Sequence, residues 1–449
     1  MKKLIITVIV LITINYSGFS QNWSPLGLGL DGGVRCFYPD TARNILWVGG
    51  EFWKANNNKA MTIANWDSVN WDTLLNSLPG NPTLAIINYD SSLFVGGFDG
   101  CFIFKNNQWV NNPFFNGHSL FDGIVGGFEI LNNKLYTIGR FEHVNGIIAH
   151  SIAMYDGFNW QSVNNFPNYN NNEYNSISAV KYYKGKLYIA GQYADSLSGG
   201  YPVFASYLDS SGWHTIGGVL HGSFIHISAM CIYKNNLYFA GSFLKSNGNL
   251  GDNIVMYDGT NFYEVGTGLQ GGQIFDLIVY DNSLIACGQF KYAGNINAKY
   301  LAKWDGSKWC SYGSDFDIPV IKLGVFRNEL YIGCGRAIDG DSVNYIVKWI
   351  GGSYIDTCSQ IYGSVYEIEN ENNITISPNP ATTSFTITTN NEQIIKEVEL
   401  YTIEGKLLKQ QTFSENNVKV ETSQLPTGMY VIEVQTKEKR MFQKLIISH

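Results

Sequence analysis

Three features of this 449-residue chain predict an all-β protein, in which a ring of repeated four-stranded sheets is followed by a small β-sandwich. First, one phrase recurs seven times: a leucine, an aromatic or aliphatic residue, two small or apolar residues, then glycine. Leu187-Tyr188-Ile189-Ala190-Gly191 and Leu237-Tyr238-Phe239-Ala240-Gly241 are two copies. The leading leucines run from Leu46 through Leu93, Leu135, Leu187, Leu237 and Leu284 to Leu330, in steps of 47, 42, 52, 50, 47 and 46 residues. A period near fifty made of short apolar and aromatic runs marks a circular array of sheets. Second, Asp-Gly flanked by aromatics recurs between copies, as in Tyr155-Asp156-Gly157, Tyr257-Asp258-Gly259 and Trp304-Asp305-Gly306, and reads as a tight hairpin. Third, charged residues rise from about 14% to about 21% after residue 372, where alternating strands of another style begin. The predicted architecture is a seven-bladed β-propeller over residues 21–358, a linker over 359–372 and an immunoglobulin-like β-sandwich over 373–449.

The elements follow in order. Lys2 and Lys3, the apolar run Leu4 to Ile14, and small residues around Gly18 and Ser20 read as an export signal over residues 1–20. That run is too short to span a bilayer, so no transmembrane segment is expected in the mature chain. Each repeat then lays out four strands. In the sixth, Ile274 to Tyr280 is the first, Leu284 to Phe290 the second, Tyr300 to Trp304 the third and Lys308 to Tyr312 the fourth. Asn22-Trp23-Ser24-Pro25-Leu26-Gly27 has the look of an outer strand without its own blade, and is predicted to complete the last one near Tyr345 to Trp349 or Tyr354. The recurrent glycine is expected where inner strands converge and a side chain would strike the neighbouring blade. In the seventh repeat Cys334 occupies that position, which puts the strand's register in question. The aromatics beside the Asp-Gly turns recur too regularly for sugar platforms, so packing is their expected role.

Composition excludes some partners. Charged residues make up 15% of the chain, aromatics 14%, and the net charge is -7 with no cluster of Lys and Arg, so nucleic acid is not expected. Seven cysteines are odd in number. Cys36, Cys231, Cys287 and Cys334 fall on strands and read as small core residues, while a disulfide between Cys310 and Cys358 stays open. His214, His221 and His226 invite a metal reading, but residues five apart on a strand face opposite ways and no acidic or thiol partner has ligand spacing. Asp339, Asp341 and Asn344 form an acidic turn without the glutamate of a calcium loop. No catalytic, metal or cofactor residue is selected.

The tail carries a more specific signal. Ser377-Pro378-Asn379-Pro380, Ile403-Glu404-Gly405-Lys406, Leu425-Pro426-Thr427-Gly428-Met429-Tyr430 and Lys444-Leu445-Ile446-Ile447 occur in this order at the extreme terminus. This segment resembles the type A C-terminal sorting domain of proteins exported by the type IX secretion system of Bacteroidetes-like bacteria. The match rests on Pro378, Asn379, Pro380, Gly405, Leu425, Gly428, Tyr430 and Lys444, with Glu404 standing where the family has aspartate. The resemblance implies the type IX machinery as partner, passage across the outer membrane, and release or attachment at the cell surface. More loosely, the repeats look like the kelch-like propellers of secreted proteins from such bacteria, which implies a scaffold and no reaction.

Two function classes follow. One is a non-catalytic binding or adhesion module for polysaccharide or a surface protein, using the face where connectors between second and third strands join those between blades. Its long connectors, 164–176 and 194–204, place Tyr169, Asn170, Tyr174 and Tyr201 as candidate ligand contacts. The other is a polysaccharide hydrolase or lyase with paired carboxylates near the axis, although nothing in the sequence selects the pair.

Overall fold

The computed structural model describes residues 22–74, 82–110, 121–163, 166, 176–193, 202–222, 225–351, 374–389, 393–402, 406–437 and 440–448. The expected export signal, the linker, Cys358, Gly405 and the candidate contacts Tyr169, Asn170, Tyr174 and Tyr201 lie outside them. The chain divides into two compact units, Met1–Gly363 and Ser364–His449.

Among the described residues, the first unit holds seven four-stranded antiparallel sheets. Six are each formed from one stretch of chain, over 34–73, 83–109, 124–162, 176–219, 226–264 and 274–311. The seventh joins Lys322–Phe326, Glu329–Gly333 and Ile346–Trp349 to Trp23–Pro25 from the start of the chain. Each first strand touches the first strand of the next sheet, and the seventh touches the first, so the ring closes. The unit is a β-propeller. Its closure is the one expected: Trp23 pairs with Trp349 and Pro25 with Val347. Apolar side chains are buried between neighbouring sheets, so the core is a ring of interfaces. No helix among the described residues is long and apolar enough to cross a membrane.

The reason for the recurrent glycine differs from the expected one. In six sheets the first strand carries a bulge, with Arg35, Leu84, Gly126, Ser178, Ser228 or Phe275 as the extra residue. The bulge turns a carbonyl onto the second strand of the same sheet. A Cβ on Gly241 would overlap the His226 carbonyl oxygen, and one on Gly288 that of Gln273. The obstruction therefore comes from within the sheet. The neighbouring sheet restricts the preceding residue, where a Cβ on Gly49 would meet Thr83 and one on Gly96 would meet Val125. The seventh sheet explains its own exception. Lys322–Phe326 pairs with Glu329–Gly333 without a bulge, so no carbonyl crowds the next position. Cys334 fits there and keeps register, its N–H donating to the Tyr345 carbonyl at 3.0 Å as that of Gly241 does to Asn253 at 3.0 Å.

The Asp-Gly hairpins also differ in detail. Only the glycine has positive φ, 101° at Gly157, 104° at Gly259 and 105° at Gly306, so the turn centres on Gly and the residue after it. The aspartate precedes the centre and caps it. Asp258 Oδ1 accepts the N–H groups of Thr260 and Asn261 at 2.7 and 2.8 Å, and Asp156 repeats this with Phe158 and Asn159. The flanking aromatics are cross-strand pairs: Trp66 with Trp71, Tyr155 with Trp160, Tyr257 with Phe262 and Trp304 with Trp309, at centroid distances of 4.7 to 5.3 Å. Trp23 takes this role against Trp349 at 4.7 Å. Cys310 is disulfide-bonded, whereas Cys36, Cys101, Cys231, Cys287 and Cys334 are buried free thiols. Burial pushes the Cys36 and Cys231 thiols up to about 12, which keeps them protonated and unreactive.

The second unit packs a three-stranded sheet, Ile374–Ser377, Ser384–Thr389 and Asn417–Glu421, against a four-stranded one, Leu407–Glu415, Ile395–Thr402, Gly428–Thr436 and Arg440–Ile447. Phe385, Ile387, Val398, Ile432 and Leu445 fill the space between them. Alternation of apolar and polar residues along Ile374–Ser377 and Asn417–Glu421 matches alternate burial.

Candidate functional site

On the face carrying the connectors between sheets, the second-to-third-strand connectors fold into small hairpins at Lys54–Ala55 with Asn58–Lys59, His143–Val144 with Ile147–Ile148, and Ala337–Ile338 with Asp341–Ser342. An aspartate from the preceding inter-sheet connector clamps each one. Asp31 Oδ1 accepts from Trp53 and Lys54, Asp122 Oδ1 from Glu142 and His143, and Asp317 Oδ2 from Arg336 and Ala337. Burial alone would raise the Asp122 carboxyl, but hydrogen bonds from the backbone and ring of His143 outweigh it and hold it low. This rim is built from chain-to-chain bonds that side-chain spacing does not reveal. The acidic turn belongs to it: Asp339 Oδ1 accepts from the Asp315 N–H at 2.7 Å and Asn344 Nδ2 donates to the Leu28 carbonyl at 3.0 Å, so both serve the backbone.

Polar side chains of the inner strands bridge one sheet to the next. Lys322 Nζ lies 3.1 Å from Asp276 Oδ2, and Lys181 Nζ 2.9 Å from Glu129 Oε2. Burial works against the Lys322 ammonium, yet the Asp276 carboxylate beside it raises its pKa above the ordinary lysine value. His226 spans three sheets: Nε2 is 2.7 Å from Ser178 Oγ and Nδ1 3.4 Å from Ser228 Oγ, whose hydroxyl donates to the Ile274 carbonyl at 2.7 Å. With its proton committed to Ile274, Ser228 accepts from Nδ1–H, leaving Nε2 to accept from Ser178. Burial lowers the His226 pKa, which favours this neutral form. The pair resembles a nucleophile and its base, but both ring nitrogens face serine hydroxyls, and neither faces a carboxylate that would orient the imidazole. His214 stacks on Tyr207 with rings 4.8 Å apart, away from His226 in the fourth sheet. Among the described residues no three His, Cys, Asp or Glu side chains gather as a metal site.

The opposite face has a cleft of about 230 Å³ between the sixth and seventh sheets, lined by Tyr280, Asp281, Ser283, Ile285, Lys303, Tyr312 and Trp349. Sequence reasoning searched the connector face and missed it. Ile285, at the buried end of its lining, occupies the second position of the repeated phrase, where the other six copies have Trp47, Phe94, Tyr136, Tyr188, Tyr238 and Tyr331.

In the second unit, the expected motif residues among those described, all but Gly405, are brought together. Asn379 Nδ2 donates to the Lys444 carbonyl at 2.8 Å and its Oδ1 accepts the Ile446 N–H at 2.9 Å. Beside Pro380, Ala381 is buried, pairs with Ile447 in a parallel bridge and donates to the Ile446 carbonyl at 2.7 Å. The Pro378-Asn379-Pro380 segment thus docks the start of the sandwich onto its last strand. Gly428 pairs with Ile447 and Tyr430 with Leu445, while the Tyr430 hydroxyl reaches back to the Pro426 carbonyl at 2.6 Å. Leu425 packs onto the core, and Pro378, Asn379, Pro380 and Lys444 stay exposed.

A family described as the secretion system C-terminal sorting domain matches residues 375–448, the span over which this arrangement is built. These residues are a type IX sorting domain. The sorting domain marks the chain for type IX export, to the cell surface or the surrounding medium. Among solved structures, the chain is similar to PorZ, a bacterial surface component of the type IX secretion system of Porphyromonas gingivalis, at 16% identity and a TM-score of 0.44, over 93% of this chain and 60% of that one. It is also similar to YCF48 bound to a D1 peptide, at 12% identity and a TM-score of 0.43, over 74% of this chain and 95% of that one. The Pan2 WD40 domain of Neurospora crassa is 10% identical over 76% of this chain and 98% of its own, with a TM-score of 0.45. The chain therefore spans 60% of the length of the PorZ chain. No curated protein matches the sequence.

Proposed function

We propose that the propeller is a non-catalytic binding or adhesion module, presenting a rigid ring to polysaccharide or to another surface protein, with the sorting domain handing the chain to the type IX machinery. The observation that carries this reading is the use of the axial polar groups. Asp276 is paired with Lys322, Glu129 with Lys181, and His226 is held between Ser178 and Ser228, so these two first-strand carboxylates each face a lysine of a neighbouring sheet and not a second carboxylate, as glycoside cleavage would need. The kelch-like character of the repeats, the export signal over 1–20 and residence at the cell surface belong to the same proposal.

A glycan array probed with the purified chain, followed by product analysis on each bound glycan, tests it. Binding without turnover is the expected result; cleavage products would replace the module with a hydrolase or lyase. Export is tested separately by removing residues 375–448, which should retain the chain in the periplasm.

A further inference from the structure

We propose that the outer face of the four-stranded sheet in the second unit, around Met429, Ile446 and Lys444, is the surface by which a protein of the type IX machinery holds the sorting domain. This rests on the proposal that the sorting domain hands the chain to that machinery. The motif residues of the domain divide into two sets. Asn379, Gly428, Tyr430, Leu445 and Ile447 are explained by the fold, because they join strands or fill the core. Met429, Ile446 and Lys444 are not. Strand alternation turns them away from the core that Tyr430, Leu445 and Ile447 enter. Met429 is 47% and Ile446 36% exposed, and the two stand directly opposite each other. Two residues along on the same face, Lys444 stands opposite Val431. Val431 stands opposite Tyr401, and Tyr401 opposite Leu407, which is 43% exposed. Register therefore sets Met429, Ile446, Val431, Tyr401 and Leu407 side by side across all four strands, with one ammonium among them. A single apolar side chain in the open is ordinary, whereas a contiguous set on one face marks an interaction site.

Position and charge select the occupant. The sorting signal lies within 375–448, so its recognition has to use exposed residues of that span, and Met429, Ile446 and Lys444 come from its motifs. The next row on the same face pairs Glu399 with Glu433, and the Tyr401 hydroxyl donates to Glu399 at 2.6 Å, so the apolar rows end on a polar border. An apolar centre with a polar rim is the anatomy of a protein–protein interface. Among the described residues the Lys444 ammonium meets no carboxylate, so the partner brings an aspartate or glutamate to it. A lipid surface is a poorer match. Anionic headgroups are held by clusters of Lys and Arg, whereas here one lysine stands in the apolar rows and two glutamates border them.

The test separates recognition from folding. The double variant Met429→Thr with Ile446→Thr, the variant Lys444→Glu, and Lys419→Glu, which makes the same charge change on the three-stranded sheet, would be introduced into the full chain in a bacterium with a working type IX system. Immunoblots of periplasm, cell surface and medium read export, and calorimetry of the purified chains reads the transition of residues 364–449. Export is expected to fall by about tenfold in the double variant and by a smaller factor in Lys444→Glu. Lys419→Glu should be exported as the native chain is, and the transition should stay in place in all three. Native export of the double variant and of Lys444→Glu, with that transition unshifted, would overturn this surface and leave type IX export itself intact, which removal of 375–448 tests. Should the double variant melt early, Lys444→Glu decides alone. Two other results would assign the face elsewhere and overturn the machinery as its occupant. One is a native dimer in sedimentation that the double variant loses, and the other is binding to phosphatidylglycerol vesicles that Lys444→Glu loses.

Discussion

The glycine at the end of each second strand shows how one residue reports on another far from it in sequence. Gly241 is small because the bulge at Ser228 turns the His226 carbonyl toward it, and Cys334 is permitted because Lys322–Phe326 has no bulge. Gly241→Ala should therefore destabilise the propeller by about 1–3 kcal/mol, the usual cost of overpacking, whereas Cys334→Ala should cost less, since it only removes a buried sulfur. Denaturant unfolding of the two variants checks the difference, and equal losses would contradict the bulge explanation. His226 adds a pH dependence at the same place. Its folded pKa is lowered by burial, so the folded state binds fewer protons than the unfolded one just below the ordinary histidine value near 6.5. Its contribution is complete above that pH and is lost as pH falls toward the lowered pKa. The unfolding temperature should fall between pH 7 and pH 5, and His226→Gln should remove that part of the slope. The glycines were visible in the sequence, but their cause was not, because a bulge is a pairing irregularity with no residue signature of its own.

The hairpins were legible for a different reason: they are encoded by contacts between residues close together in the chain. Tyr155 with Trp160 and Trp304 with Trp309 are five residues apart and pair across a two-residue turn, so the Asp-Gly phrase located both strands. The cap could be read only with coordinates. Asp258 accepts two backbone N–H groups, and these bonds, that of Asn261 foremost, hold its carboxyl below the ordinary value of 3.8. The hairpin is therefore supported above that pH and loosens as pH falls through the lowered pKa, when the carboxylate is protonated. Carboxyl NMR titration should place the Asp258 midpoint below 3.8, and Asp258→Ala should speed amide exchange at Thr260 and Asn261. Ring closure makes a stronger demand. Trp23 is 1% exposed, packs on Tyr312, Phe316 and Trp349, and donates from Nε1 to Ser314 Oγ at 2.8 Å. Trp23→Ala should cost about 3–5 kcal/mol, as large buried aromatics do, and proteolysis should then begin in the seventh sheet. The sequence identified this strand because an outer-strand pattern stood without its sheet, which only a closed ring can resolve.

At the scale of the whole chain, two compact units with separate cores carry separate tasks, and this predicts independent unfolding. Asn379 is the sharpest probe. Its amide makes two hydrogen bonds to the backbone of Arg440–Ile447, joining the motif that opens the sorting domain to the one that closes it. Three of the short motifs scattered over 377–447 were legible as a set because the sandwich brings them to one place: Asn379 docks on the Lys444 strand, Gly428 pairs with Ile447, and Tyr430 ties its own strand to Pro426. The cleft between the sixth and seventh sheets was not legible in the same way, since it is set by how side chains of two sheets meet and no residue pattern announces it. Asn379→Ala leaves the Ile446 N–H and the Lys444 carbonyl without these partners and should lower the stability of the sorting domain by about 1–3 kcal/mol. Differential scanning calorimetry should resolve two transitions and show only the one belonging to 364–449 shifted. A shift of both would mean that the units unfold together. If export depends on a folded sorting domain, the same variant should accumulate in the periplasm while its propeller unfolds at the native temperature, and full export of a chain whose sorting domain is melted at growth temperature would break that dependence.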